Sequence, residues 1–134
     1  MFIALPNAFG DAVTNMAVDA ALLANMPVGF AAFRHYGWRE PAATFGYTQE
    51  HHKVVSELTS GHAPIELAQA NATLTRRMTG GGIVDHRNDW TYALILNSSV
   101  SAASTPATDL YAQIHHAISL SLDKIGIDLS LIHI

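Results

Sequence analysis

The residues with the clearest chemical potential lie together, at Arg76-Arg77-Met78-Thr79-Gly80-Gly81-Gly82-Ile83-Val84-Asp85-His86. Two arginines run into three consecutive glycines, and a short apolar stretch then delivers a histidine. Guanidiniums are planar, permanently charged forks suited to carboxylate or phosphate. Glycine lacks Cβ, so such a loop can take φ > 0 and let another group approach its backbone N–H groups. The combination suits an anion held against backbone. It is not a Walker A loop, because no Gly-Lys-Ser/Thr follows, and it does not fit the G-x-G-x-x-G spacing. On this stretch alone, a glycine hairpin with two solvated arginines is the plain alternative.

The elements around the loop must hold it in place. Thr73-Leu74-Thr75-Arg76 is expected to be the strand feeding it, and Ile83 to His86 the strand leaving it. Trp90 to Leu96 reads as a further strand, apolar on both faces and so buried on both sides. Earlier, Phe2-Ile3-Ala4-Leu5 reads as a strand ended by Pro6-Asn7. Thr14 or Asn15 can cap a helix to about Leu23, apolar nearly all round. Asn15 and Asp19 share one face of it, either for local solvation or to fasten it to the site loops. Phe30 to Tyr36 and Ala42 to Tyr47 read as strands, with Arg34 and Gln49 near their ends as candidate substrate contacts. Glu50 to Leu58 is mildly helical. Ile65 to Ala72 is ambiguous. After a Ser/Thr/Ala-rich loop, Thr105-Pro106 opens a helix to about Lys124 with one face inward, and Gly126 suits its end.

Nearly half of the residues are apolar (49%) and few are charged (13%), which marks a globular chain and, by length, one domain. A formal net charge of −4 without a basic stripe argues against a dedicated nucleic-acid binder. No cysteine is present, so these residues hold neither a disulfide nor a cysteine nucleophile. No apolar run is long enough to cross a bilayer, and the N-terminus has no basic leader, so a cytoplasmic location is expected. His51-His52 and His115-His116 do not read as metal sites: adjacent helical residues point apart, and no ligand follows at i+4.

Arg-Arg-x-Thr-Gly-Gly-Gly-x-Val-x-His, followed by Thr91-Tyr92, resembles the signature of the lipoate–protein ligase A family, within the biotin and lipoate ligases and octanoyltransferases. Asn15-Met16-Ala17-Val18-Asp19 is similar to its N-terminal helix. Phe33-Arg34-His35-Tyr36 and Thr44-Phe45-Gly46-Tyr47-Thr48-Gln49 are similar to its paired strands. The resemblance implies an α+β fold: a mixed, largely antiparallel sheet flanked by helices. It also implies an activity, in which the carboxylate of lipoate or octanoate attacks the α-phosphorus of ATP, giving acyl-AMP and pyrophosphate. A lysine of a lipoyl-acceptor domain then takes the acyl group. ATP, with Mg²⁺, and lipoate are the small molecules so implied. Arg76 and Gly80, Gly81 and Gly82 are the leading substrate and ATP contacts, with Arg77, Ile83, Val84 and His86 beside them. Arg77 could equally brace the loop from behind, and His86 could serve orientation or structure.

One departure matters. The family's essential lysine lies beyond a further stretch of sheet, and neither Lys53 nor Lys124 matches it. No residue here is therefore assigned as catalytic, and the chain by itself is expected to be inactive. An octanoyl or lipoyl transferase of the same fold, acting through a cysteine thioester without ATP, is the alternative. Its cysteine would also lie outside this sequence, so the absence of cysteine does not discriminate. A non-catalytic acyl- or nucleotide-binding relative is a third reading, and biotin ligase fits the motif less well. Residues 1–128 are expected to form the N-terminal portion of one catalytic domain, incomplete at the C-terminus. Leu129 to Ile134 reads back as CTG TCT CTT ATA CAC ATC, a sequencing-adapter sequence, and is expected to be a non-native tail.

Overall fold

A computed structural model describes residues 1–60, 73–87 and 89–127. The expectations for Ile65 to Ala72 and for Leu129 to Ile134 lie outside the described residues.

The chain folds as α+β, and the described residues form two small mixed sheets and three helices. In the first sheet the central strand is β3 (Ala31–Trp38). β1 (Phe2–Ala4) and β2 (Ala8–Gly10) both run parallel to it along one edge, and β7 (Thr91–Leu96) runs antiparallel along the other. Ala4 pairs with Phe33 and Ala8 with Tyr36, so the edge takes four steps where β3 takes three. The extra residue falls around Pro6, which has no N–H to give to a ladder. In the second sheet β4 (Ala42–Phe45) is central, with β5 (Thr73–Arg76) parallel and β6 (Val84–Asp85) antiparallel. Three of these five described pairings are parallel, so the sheets are mixed as expected but less antiparallel than the resemblance implied.

Helix α1 (Ala12–Asn25) is capped by Asp11, whose Oδ1 accepts from the Thr14 N–H at 2.7 Å; Thr14 and Asn15 are inside the helix. Its buried residues are Ala12, Asn15 and Met16, while Val13 and Leu23 are exposed, so one face is covered rather than most of the circumference. Helix α2 (His51–Thr59) follows β4. A short 3₁₀ turn (Ser101–Ser104) precedes helix α3 (Ala107–Asp123), which starts after Pro106 with no side-chain cap. None of the α3 residues is fully buried; its inward face stays half-covered. Gly126 closes the helix end at φ +79°. Of the β7 residues only Ile95 is fully buried, short of the two-sided burial expected from its composition.

The buried apolar residues come from α1, β3, β4, α2 and β7, and every residue of β4 is buried. Asn15 and Asp19 do not reach the loops. They bind Arg34 instead: its Nη1 donates to Asp19 Oδ1 (2.6 Å) and the Asn15 carbonyl (3.1 Å), and its Nη2 to Asn15 Oδ1 (2.8 Å). Arg34 is 4% exposed, so it is an internal strut and not a substrate contact. Gln49 likewise turns inward, accepting from the Gly46 N–H at 2.9 Å.

Candidate functional site

β5 and β6 flank β4 on opposite sides and run in opposite directions. The segment joining them must therefore cross the end of β4. That crossing is the glycine loop. The Phe45 carbonyl accepts from the Arg77 N–H (2.8 Å), and the Thr79 carbonyl accepts from the Tyr47 N–H (2.9 Å), tying both sides of the crossing.

Gly80, Gly81 and Gly82 are exposed, and Gly81 takes φ +94°. No protein acceptor for their N–H groups is found among the described residues. These donors are open to a ligand, as the glycine run suggested.

The two arginines divide their tasks. Arg76 is exposed, lies 5.2 Å from the Phe45 ring centroid and donates to the Tyr47 carbonyl at 2.9 Å. Arg77 turns back beneath the loop. Its Nη2 donates to the Gly80 and Gly82 carbonyls (3.0 and 2.9 Å) and its Nη1 to Thr44 Oγ1 (2.8 Å). Partial burial lowers its pKa from the ordinary guanidinium value. Of the two roles open for Arg77, the brace is the one seen.

His86 is 6% exposed. Nε2 faces Thr44 Oγ1 at 2.7 Å, Nδ1 meets Asp89 Oδ2, and the ring stacks on Trp38 with centroids 4.2 Å apart. Beside it Asp85 is held below the usual carboxylate range, chiefly by hydrogen bonding from the Arg87 side chain.

A cavity of ≈ 340 Å³ opens behind the loop, between α1, β3, β7 and α3. All six residues of β7 line it, so that strand meets the cavity along its edge rather than through one face. Met16, Leu23, Leu94, Ile95, Leu110 and Ile114 provide apolar wall, and Arg77, Met78, Thr79 and His86 stand at the loop end. Tyr36 adds a hydroxyl that donates to Asp19 Oδ2 at 2.8 Å. Burial first, and then Asp19, pushes the Tyr36 pKa far up, so it stays a neutral donor.

Of the residues expected at the site, Arg77 and His86 line the cavity, whereas Arg76, Gly80, Gly81 and Gly82 stand outside it on the loop. Ile83 and Val84, expected beside the leading substrate and ATP contacts, do not line the cavity, and Val84 is 39% exposed. The two-residue β6 ladder holds Val84 opposite Thr44, on the far edge of the second sheet. Sequence reasoning missed Thr44, Asp89, Tyr36 and Trp38. Only the placement of Thr44 and Tyr36 within family-like strands hinted at them.

Residues 11–132 match the lipoyl protein ligase A/B catalytic domain. Among curated proteins, the octanoyltransferase LipM of Kyrpidia tusciae is 31% identical over 121 residues, covering 89% of this chain and 42% of that protein. The octanoyltransferase LipM of Oceanobacillus iheyensis is 27% identical over 132 residues, covering 96% and 45%. The chain thus spans less than half the length of these relatives. Among solved structures, a bi-partite lipoate protein ligase with its E2 lipoyl domain from Thermoplasma acidophilum superposes with a TM-score of 0.69 at 20% identity, covering 98% of this chain and 48% of that one. A T. acidophilum protein with bound lipoic acid gives 0.68 at 23%, covering 95% and 48%. At these identities the structural likeness speaks for the fold.

Proposed function

We propose, from the premise that this chain belongs to the lipoyl protein ligase A/B catalytic domain family, that the whole protein transfers an octanoyl or lipoyl group to a lysine of a lipoyl-acceptor domain. The observation that carries this reading is the apolar cavity of ≈ 340 Å³ ending at the glycine loop. A medium-length acyl chain would lie among Met16, Leu23, Ile95 and Ile114, gaining by burial. Its carbonyl end would leave the cavity at Met78 and Thr79 and reach the open N–H groups of Gly80 to Gly82, which stand outside it on the loop. Acyl transfer builds negative charge on that oxygen, and fixed N–H donors with Arg76 nearby would stabilise it.

Two sources of the acyl group are open. In the transferase reading, a cysteine outside this sequence attacks the thioester of an acyl-carrier protein and expels the carrier thiol. The acceptor lysine then displaces the cysteine. The names of the curated relatives favour this route. In the ligase reading, the carboxylate attacks the α-phosphorus of ATP, pyrophosphate leaves, and lysine displaces AMP from the anhydride. The exposed Arg76 guanidinium beside the loop favours this second route, since it suits a phosphate. Among the described residues no group of three or more His, Cys, Asp or Glu side chains gathers to hold a metal. No described helix is long and apolar enough to cross a membrane.

The test supplies the whole protein and an acceptor domain with octanoyl-carrier protein, or with octanoate and ATP, and follows acceptor mass. Loading from the carrier alone supports the transferase, and loading only from free acid with ATP supports the ligase. Octanoate binding without loading would make the protein a non-catalytic binder. Absence of both binding and loading overturns the reading.

A further inference from the structure

We infer that Asp89 and Thr44 are positioning residues that set the shape of the glycine loop from behind, through His86 and Arg77. The four side chains form one line of hydrogen bonds. Asp89 Oδ2 contacts His86 Nδ1, His86 Nε2 lies 2.7 Å from Thr44 Oγ1, and Thr44 Oγ1 takes the Arg77 Nη1–H at 2.8 Å. Arg77 Nη2 then holds the carbonyls of Gly80 and Gly82.

Counting protons along the line fixes its direction. The Asp89 carboxylate can only accept, so His86 Nδ1 carries a hydrogen. Thr44 is wholly buried and already accepts from Arg77, so its own proton needs an acceptor. The bare Nε2 of a neutral His86 is that acceptor. Asp89 therefore selects the Nδ1–H tautomer, the tautomer orients the Thr44 hydroxyl, and the hydroxyl presents its lone pair to Arg77. Asp89 is fixed in turn, because Thr91 Oγ1 donates to its Oδ1 at 3.0 Å and accepts from Trp38 Nε1 at 2.9 Å. The Trp38 ring meanwhile stacks on the imidazole. A carboxylate at one end of this line thus holds two carbonyls of the loop at the other.

The inference rests on the proposed reading only for what the loop is held to do. Its test needs no ligand: ¹⁵N NMR of the full chain, reading the His86 ring nitrogens and the exchange of the Arg77 guanidinium protons. The wild type is expected to show a protonated Nδ1 and a bare Nε2. Asp89→Ala should give mixed tautomers and Arg77 exchange about tenfold faster, and Asp89→Glu should restore both. Thr44→Val should speed Arg77 exchange while leaving the His86 tautomer intact, and Thr44→Ser should reverse the effect. A merely loosened fold would disturb both signals together. A wild-type His86 protonated on Nε2 alone overturns the inference, as does unchanged Arg77 exchange in Asp89→Ala. Should Asp89→Ala fail to fold, the Thr44→Val and Thr44→Ser pair decides. Octanoate added to the wild type separates this inference from the acyl reading: no binding counts against that reading and leaves this line of hydrogen bonds standing.

Discussion

A Cβ placed on Gly46 would stand 2.1 Å from the carbonyl oxygen of Gly81 and 3.0 Å from the carbonyl carbon of Gly80. Both atoms are backbone, so no side-chain rotation relieves the clash. The contact exists because the glycine loop crosses the end of β4 where Gly46 follows Phe45. Two glycines thirty-five positions apart (81 − 46) therefore act as one feature of the site.

Gly46→Ala should displace the loop and destabilise the protein by about 1–3 kcal/mol, the cost of forcing a methyl into a packed contact. Urea denaturation with octanoate titration checks it: both stability and binding should fall. Wild-type stability in this variant would show that the crossing opens freely.

The three glycines of the loop should not respond alike. Gly81 sits at φ +94°, with Arg77 Nη2 only 3.1 Å from a Cβ there, so Gly81→Ala should cost about 1–2 kcal/mol. A Cβ at Gly80 or Gly82 meets nothing within 4 Å. Alanine at either should change stability by no more than about 0.5 kcal/mol. Any loss of octanoate binding in those two variants would then report close approach of ligand to backbone. Equal melting losses at all three positions would refute the distinction.

The arginines should separate by readout. Arg76→Ala removes an exposed side chain and should leave stability within about 0.5 kcal/mol. Under the ligase reading it should weaken binding of a non-hydrolysable octanoyl-adenylate by about tenfold. Arg77→Ala strips the partner from Thr44 and from two carbonyls, and should cost about 1–3 kcal/mol in stability. Chemical denaturation and calorimetric binding on the same two variants decide it. A stability loss confined to Arg76→Ala would reverse the assignment.

Arg34 and Asp19 form an internal ion pair at 2.6 Å, with side chains 5% and 19% exposed. Arg34→Met should cost about 3–5 kcal/mol, because Asp19 then keeps only the Tyr36 hydroxyl as an observed donor. The double variant Arg34→Met with Asp19→Leu should lose less than the sum of the single losses. Additive losses in urea denaturation would show that the pair does not act as a unit.

The glycine loop was legible because its residue types are unusual and adjacent, and so was the strand before it, which the structure places at Thr73–Arg76. The same local signals misplaced the helix cap, since Asp11 competes with Thr14 and Asn15 for one role and only geometry chooses. Arg34 read as a candidate substrate contact because the face shared by Asn15 and Asp19, though legible, carries no sign of the strand residue it meets. The line from Asp89 to Arg77 was not readable. It joins residues from β4, the end of β5 and the turn after β6, brought together only when β4 pairs on both sides. Residue types mark where charge can be held. Which arginine faces out follows from the crossing of the loop.

Two carboxylates should govern the acid side of stability. Asp11 is held below its ordinary value chiefly by the Thr14 N–H, and Asp85 chiefly by hydrogen bonding from Arg87. A carboxyl with a depressed folded value stabilises the fold above its unfolded value, about 3.9 for Asp. That contribution is lost as pH falls through the folded value. The urea midpoint should therefore hold steady above about pH 5 and decline below about pH 4. Asp85→Asn should flatten part of that decline, because an amide does not titrate, and Asp11→Asn should flatten another part while keeping a capping oxygen for Thr14. A wild-type midpoint that stays level through this window would show that neither carboxylate is stabilised by its partners.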